Sequence, residues 1–234
     1  MHEQLTWFSF IPVIKEIPNF IITYALAGIL LIICALLVTR TLKRRNYPDV
    51  PDGEFTLSSL FDMIYEALYN FTASVIPEEP EKYLPLIGTL FVLIFISNLW
   101  GVVPGMVPPT DNLNTNVAMA VIVFIAFNYY GFKTHGKAYI KHFMGPVWVI
   151  APIMLVVELI STLVRPVSLS LRLFANMLGD HTALSIFSHL IPLVVPIFFM
   201  ILGIFVSFIQ ALVFSILSAI YIALAVAHEH EEEH

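Results

Sequence analysis

Charged side chains interrupt one long apolar stretch of the chain. Within Phe143–Ala227 the only formal charges are Glu158, Arg165, Arg172 and Asp180. A charge inside a membrane-spanning helix costs on the order of 2.5–3.5 kcal/mol on insertion scales, and it is tolerated where it faces protein or water. These residue types therefore predict a path for protons or small ions through an apolar environment.

The spacing of the charges favours one side of a helix. Glu158, Arg165 and Arg172 follow each other at seven-residue intervals, and such positions drift by only about 20° per interval on an α-helix. Ser168 and Asn176 flank Arg172 at four residues on the same side. The pattern predicts a polar stripe, about 20–30 Å long, within an apolar helix.

These polar residues have different alternative interpretations. Arg165, just before Pro166, either anchors the helix at the membrane interface or faces the path. Arg172 lies near mid-helix, where it cannot easily reach the interface, so a functional role is predicted for it. Glu158 either belongs to the path or pairs with Arg165. Ser168 either lines a wetted cleft or bonds its own backbone.

Composition indicates that lipid is the solvent of most of the chain. Of its 234 residues, 59% are hydrophobic and 12% are charged, about half the charged fraction of an ordinary soluble domain. No extended basic patch exists for a nucleic acid. The single Cys34 excludes a disulfide framework. No removable signal peptide is expected, because the N-terminus lacks a basic region and a cleavage site.

The apolar runs predict five membrane crossings. Each crossing needs about 20 apolar residues to span a hydrocarbon core of about 30 Å. Residues 20–39, 83–103 and 112–132 fit single crossings. The last two runs, 147–189 and 193–227, are too long, since the second would measure about 52 Å as a helix. At that length they must tilt steeply, bend or protrude from the hydrocarbon core.

Residues 54–76 follow another pattern and are predicted to form one interfacial amphipathic helix. Apolar residues recur there at helical spacing, while Asp62, Glu66 and Asn70 fall elsewhere on the helical wheel. Both an interfacial location and packing against a partner helix remain open for this segment. The chain is thus predicted to be a single all-α integral membrane domain.

Basic loops fix the predicted orientation. The cluster at 40–45 and the lysines within 133–141 share the cytoplasmic side if residues 54–76 do not cross. The N-terminus then lies outside, and the acidic tail 228–234 lies in the cytoplasm. The histidines of that tail could bind a metal weakly, but a solvated acidic tail is predicted and no metal site is assigned.

Part of the polar stripe resembles a known signature. The run reads Arg165-Pro-Val-Ser-Leu-Ser-Leu-Arg172-Leu-Phe-Ala-Asn176-Met. It closely resembles the bacterial-type a-subunit of F-type ATP synthases, where the segment is Pro-Val-Ser-Leu-(small)-Leu-Arg-Leu-Phe-(small)-Asn-Met. Other agreeing positions within Phe20–Ala227 are Glu158, Gln210, Tyr221, the run Pro109–Thr115 and the motif Ser97-Asn-Leu-Trp-Gly.

The resemblance implies a stator ion-channel subunit of the Fo sector. In that family two aqueous half-channels serve a rotating ring of c-subunits, an arginine corresponding to Arg172 separates them, and an acid corresponding to Glu158 lies near the outlet. The implied partners are the c-ring, the b-subunit peripheral stalk, the whole FoF1 complex, membrane lipids and the translocated H⁺ or Na⁺. The implied location is the bacterial plasma membrane. Neither a cofactor nor a catalytic residue is implied for this chain.

The resemblance also implies roles for polar residues beyond Arg172. Asn176 and Gln210 correspond to family residues near the arginine, with helix–helix hydrogen bonding as the alternative. The family commonly places Glu or His at the position of His181, paired across the hairpin, but here the partner position is Gly203. Asp180 and His181 are hypothesised to supply both groups. A polar cap at the helix end is the alternative.

Two other function classes agree less well with the sequence. A secondary transporter or channel would use Arg172 as a clamp for an anion, but transporters usually show repeated halves and no repeat is visible. An intramembrane enzyme would need a nucleophile with its base or a metal cluster, and no Gly-x-Ser-x-Gly motif occurs. Whether the ion is H⁺ or Na⁺ stays open, because the binding carboxylate would belong to the ring.

Overall fold

The computed structural model describes residues 19–44, 57–77, 79–103, 106–136, 139, 151–188 and 194–227. Within these ranges the regular secondary structure is helical, which confirms the predicted all-α class. Two short 3₁₀ turns lie between the third and fourth α-helices. The α-helices are α1 (Asn19–Arg44), α2 (Leu57–Val75), α3 (Pro80–Leu99), α4 (Leu113–His135), α5 (Ala151–Ser188) and α6 (Val194–Val226).

Among the described residues, four helical stretches are long and apolar enough to cross a membrane. They are Pro80–Val102, Leu113–His135, Pro152–Leu184 and Pro196–Val226, and a shorter apolar stretch, Ile21–Leu37, lies within α1. Their outer surfaces carry large apolar side chains, such as Ile32 and Phe205, which are 62% and 63% exposed. Such a surface is stable in lipid and not in water, so the chain is a membrane protein.

Two helices run beyond the predicted crossings. The helix α1 continues to Arg44, and α4 continues to His135. The prediction ended both at the first charged residues, whereas a helix can extend into the headgroup region, where charged side chains are solvated. Gly136, at φ 55°, ends α4 in a backbone conformation that favours glycine.

The apolar side of α2 packs against α3. Leu68 is buried in this contact, while Asp62, Glu66 and Asn70 are exposed. Packing against a partner helix, one of the two arrangements left open by the sequence, is therefore observed. Residues 54–56 of the predicted helix lie outside the described residues.

Buried amides hold the connection between α3 and α4. The Thr110 hydroxyl donates to Asn98 Oδ1 at 2.7 Å, and Asn116 Nδ2 donates to the Thr110 carbonyl at 2.8 Å. Gly101 allows close packing here, because a Cβ at this position would lie 2.9 Å from Pro108 Cγ. The network fixes the end of α3, where Asn98 faces the last two helices.

The packed interior is formed by α3 and α4 against the C-terminal helices. The helix α3 packs on α6, and α4 packs on both α5 and α6. Gly131 permits the close approach of α4 to α6, since an added Cβ would lie 3.1 Å from the Ala225 carbonyl oxygen. The largest buried apolar side chains include Ile87, Ile94, Met119, Phe127, Leu169, Leu173, Phe214 and Ile222.

The last two helices are long, as predicted. The helix α5 has 38 residues and α6 has 33, which correspond to about 57 Å and 50 Å. Pro196 lies in the first turn of α6, where a missing N–H costs no helical hydrogen bond. The predicted ends at 147–150, 189–193 and the tail 228–234 lie outside the described residues, as do Lys137 and Lys141.

Candidate ion-translocation site

Arg172 lies on the exposed side of α5, near the middle of that helix. Its neighbours Leu169 and Leu173 are 2% and 0% exposed and bind α5 to the packed interior. The surface around Arg172 includes the exposed apolar residues Leu171 and Leu178. A guanidinium in contact with lipid at this depth is costly, so the position of Arg172 favours a partner protein with polar groups opposite it.

One turn further along α5, a hydrogen bond joins the two long helices. Asn176 Nδ2 donates to Gln210 Oε1 on α6. Gln210 is 5% exposed, and among the described residues its Nε2 has no hydrogen-bond partner. Hydrogen bonding between helices, given above as the alternative to channel lining, is observed. The unused amide donor leaves room for a second role, because a buried N–H without a partner is destabilising unless water binds it.

Two cavities lie on the Asp180 side of this pair of amides, and only the smaller one is lined by the pair itself. The larger, of about 50 Å³, is lined by Asn98, Asp180, Gly203 and Ser207 among apolar residues. The smaller, of about 10 Å³, is lined by Asn98, Asp180 and Ser207 together with Asn176 and Gln210. A cavity needs roughly 10–15 Å³ to hold one water, so the two offer space for a short chain of waters.

The polar residues that line these cavities have hydrogen-bonding groups that suit such waters. Asn98 is 1% exposed, and its Nδ2, like Nε2 of Gln210, lacks a partner within the described part of the chain. Both groups are donors, whereas the half-buried Asp180 supplies carboxylate oxygens as acceptors. Donors and acceptors therefore line one continuous region, which extends from Asp180 to the Asn176–Gln210 pair.

Gly203, the position that the resemblance pairs with His181, lies on α6. Gly203 lines the same cavity as Asp180. A Cβ at Gly203 would lie 3.4 Å from Cγ2 of Val102, so a small side chain fits there with little adjustment. His181 lies in α5 next to Asp180, and its side chain is outside the described part of the structure.

At the other end of the stripe, Arg165 contacts aromatic rings. Its guanidinium carbon lies 5.8 Å from the ring centroid of Phe127 and 5.4 Å from that of Tyr221. Within the described ranges, no nitrogen of Arg165 lies within 4.0 Å of a carboxylate oxygen of the half-buried Glu158, so the two side chains do not form an ion pair. The pairing that was an alternative for Glu158 is therefore not observed, and Arg165 is held by α4 and α6.

Ser168 is half-buried between the two arginines on α5. The alternative interpretation of Ser168, a hydrogen bond to the backbone of its own helix, is not observed within the described ranges. Ser170, two residues further on, does form such a bond, since its hydroxyl donates to the Val167 carbonyl at 2.9 Å.

Of the predicted site residues, the structure brings Asn176, Asp180 and Gln210 to one cavity. Glu158 and Ser168 lie on the other side of Arg172 along α5.

Two further residues that line the cavities, Asn98 and Ser207, carry no charge and were not among the predicted site residues. Asn98 is an amide within an otherwise apolar crossing, and Ser207 precedes Gln210 by about one turn of α6. A buried amide in a membrane helix is itself a signal, because it needs a hydrogen-bond partner in the protein or in bound water.

Comparison with known proteins gives a consistent result over nearly the whole chain. The ATP synthase A chain family matches residues 21–223. The chain is 39% identical over 228 residues to ATP synthase subunit a of Bdellovibrio bacteriovorus, covering 97% of this chain and 100% of that protein. It is 43% identical over 206 residues to ATP synthase subunit a of Geobacter sulfurreducens, covering 88% and 89% of the two chains.

Proposed function

The chain belongs to the ATP synthase A chain family, and on that premise we propose that it is the stator ion-channel subunit of the Fo sector. It provides two aqueous half-channels to a ring of c-subunits, and Arg172 separates them. Ion movement through the half-channels turns the ring and is coupled to ATP synthesis. The b-subunit peripheral stalk holds the chain against rotation.

The proposed topology has five crossings in the bacterial plasma membrane. Four are the strongly apolar stretches, and the fifth is α1. The helix α2 lies at the interface, with the N-terminus outside and the C-terminal tail in the cytoplasm. The hairpin of α5 and α6 is steeply tilted, because helices of about 57 Å and 50 Å exceed a hydrocarbon core of about 30 Å.

The observation that carries the proposal is an exposed arginine near the middle of α5, one turn from a pair of amides that line a cavity. Arg172 precedes Asn176 by one turn, and Asn176 bonds Gln210 across the hairpin. Cavities extend from that pair toward Asp180. A lipid-facing surface explains neither the arginine nor the buried amide donors.

Electrostatics gives Arg172 a specific task in this scheme. A guanidinium close to a carboxylate stabilises the ionised form of that carboxylate. A ring carboxylate that arrives opposite Arg172 therefore releases its ion to the outlet. The arginine keeps its own proton, so it cannot relay protons between the half-channels and blocks a direct leak. The membrane potential supplies about 2.3 kcal/mol per charge per 100 mV.

The remaining site residues divide between the two half-channels. Asp180 and His181 serve the inlet from outside, and water in the adjoining cavities connects them to Asn176 and Gln210. Glu158 and Ser168 serve the outlet, on the other side of Arg172. Since this chain handles ions and not a chemical substrate, it acts as a component of the ATP synthase complex and not as its catalyst.

The experiment that tests this function is ATP-driven pumping by the whole complex, purified through a tag on this chain and reconstituted in vesicles. We expect acidification of the vesicle interior on addition of ATP. Pumping that persists in Na⁺-free medium identifies H⁺ as the ion, whereas a requirement for Na⁺ identifies Na⁺. If the tagged chain carries no c-ring or F1 and transports an anion by itself, the proposal fails and the transporter alternative is correct.

The Asn176–Gln210 hydrogen bond gives a prediction about which partner matters more. Gln210 is buried and Asn176 is exposed. Asn176→Leu therefore removes the partner of a buried amide oxygen, Gln210 Oε1, while Gln210→Leu removes the partner of an amide at the exposed surface of α5. We expect Asn176→Leu to slow coupled pumping about tenfold and Gln210→Leu to slow it less, consistent with about 1–2 kcal/mol for a lost interhelical hydrogen bond.

Pumping rates per assembled complex measure this difference. The double variant, Asn176→Leu with Gln210→Leu, is expected to assemble better than Asn176→Leu alone, because Gln210 no longer remains as a buried amide that has lost its partner. Asn70→Leu, an exposed amide on α2, is the matched control and is expected to leave pumping unchanged. Equal losses in the two single variants would show that the amides act independently of their hydrogen bond.

A further inference from the structure

The N-terminal part of α5 has few contacts that hold it in place. From Pro152 to Ser161 every side chain is exposed or half-buried, and the first buried side chain is Thr162, at 4% exposure. Glu158 lies in this weakly packed part. Hydrophobic burial within the described part of the chain therefore does little to fix the direction in which this part of the helix runs.

Pro166 makes the need for such a contact greater. It lies inside α5 and has no N–H, so the Thr162 carbonyl loses its hydrogen bond within the helix. Prolines inside helices are common sites of bending. Beyond Pro166, the buried residues Leu169 and Leu173 hold α5 against its neighbours. Between Pro152 and Arg165 the described structure contains no apolar side chain that is buried to the same extent.

Arg165 supplies a contact of another kind at this point. Its guanidinium lies against Phe127 of α4 and Tyr221 of α6, at 5.8 Å and 5.4 Å from the ring centroids. Phe127 is 1% exposed, and the two rings themselves contact each other with centroids 6.3 Å apart. Cation–π attraction strengthens as the cation loses water, and a planar guanidinium is well suited to stack on rings.

Tyr139 adds a polar group to the same region, outside the membrane-spanning segments. Its hydroxyl donates to Asn128 Oδ1 at 3.3 Å on α4. Burial raises the pKa of the Tyr139 hydroxyl, the positive charge of Arg165 opposes that rise, and the negative charge of Glu158 adds to it. Arg165 and Glu158 are thus both close enough to influence one tyrosine, although they do not pair with each other within the described ranges.

We infer that Arg165 is a positioning residue whose guanidinium, held against the rings of Phe127 and Tyr221, fastens the first part of α5 to α4 and α6. The contact sets the direction of α5 across Pro166, and so the placement of Glu158 relative to Arg172. The consequence for transport rests on the proposed function, whereas the fastening itself does not.

Amide hydrogen exchange of residues 152–165 in the whole complex tests the fastening. In Arg165→Gln we expect these amides to exchange about tenfold faster, in keeping with the loss of a half-buried cation–π contact, and coupled pumping to fall several-fold. Tyr221→Leu should act in the same direction. Tyr221→Phe keeps the ring and should behave as the parent, and Arg165→Lys should lie between Arg165→Gln and the parent.

Lys133 and Tyr129 provide the matched control. Lys133 Nζ lies 5.9 Å from the centroid of the Tyr129 ring, in an exposed contact within α4. Lys133→Gln removes a cation–π contact of similar distance and should change neither exchange nor pumping. The inference is overturned if Arg165→Gln exchanges like Lys133→Gln, or if Tyr221→Phe is as damaging as Tyr221→Leu.

The two proposals can fail separately. Exchange of the α5 amides reports the fastening whether or not the complex pumps ions. Survival of pumping without Arg172 would refute the half-channel separation and leave the exchange result unaffected. Unchanged exchange in Arg165→Gln would refute the fastening and leave Arg172 as the separator.

Discussion

Replacing Arg172 by alanine is expected to abolish ATP-driven ion pumping while the complex still assembles. The side chain is exposed on α5 and makes no hydrogen bond or ion pair within the described part of the chain, so its loss leaves the packing of the hairpin intact. On the proposed function, what is lost is the positive charge that makes a ring carboxylate release its ion. Acidification of vesicles by the purified complex, normalised to bound F1 and c-ring, measures the effect.

Arg172→Lys separates charge from geometry in the same assay. Lysine keeps one positive charge but lacks the planar fork of donors, and its ammonium can give up its proton when it is desolvated. We therefore expect coupled pumping to remain strongly impaired in Arg172→Lys. Passive ion flux through vesicles stripped of F1 should persist in Arg172→Ala, because the barrier between the half-channels is removed.

Arg40→Ala is the matched control, since Arg40 is an exposed arginine near the end of α1. It is expected to leave pumping unchanged. If the complex with Arg172→Ala still pumps at the parent rate, Arg172 is a structural residue and the half-channel proposal is wrong. The transporter alternative would then have to be tested by direct uptake of anions.

The residues of the predicted stripe are conspicuous in the sequence because charged and polar side chains are costly inside a membrane. Arg172 and Asn176 share a helical face by spacing alone, and the structure agrees with a continuous helix through both. Gln210 could be connected with Asn176 only through the family resemblance, since spacing within one helix says nothing about its partner helix. The hydrogen bond between them is a property of the packed hairpin.

Contacts between distant segments could not be predicted from local patterns. Asn98 reaches the cavities because Thr110 holds its amide and α3 packs on α6. Arg165 meets Phe127 and Tyr221 only after α4, α5 and α6 have packed together, so the sequence left its role open between an anchor and a path residue. Each of these depends on the relative placement of helices, which hydrophobic periodicity does not encode.

Asp180→Asn is expected to reduce coupled pumping and ATP synthesis by about a hundredfold, the lower end of what a positioned proton-transfer group contributes. The amide keeps the size and hydrogen-bonding capacity of the carboxyl group but cannot take up and release a proton. Because Asp180 lines both cavities next to the Asn176–Gln210 pair, this loss interrupts the inlet before the ion reaches Arg172. Asp62→Asn, at an exposed position on α2, is the control.

Gly203 allows a test of whether the carboxyl group must come from α5 or can also come from α6. Gly203 lines the larger cavity with Asp180, and a Cβ there meets only Val102 Cγ2, at 3.4 Å. Adding Gly203→Asp to Asp180→Asn should therefore restore a substantial part of pumping, because a carboxyl group again faces the same cavity from α6. Restoration would show that the inlet needs a titratable group in this cavity and accepts it from either helix. If Asp180→Asn pumps at the parent rate, Asp180 is a polar cap of the helix and the inlet does not depend on it.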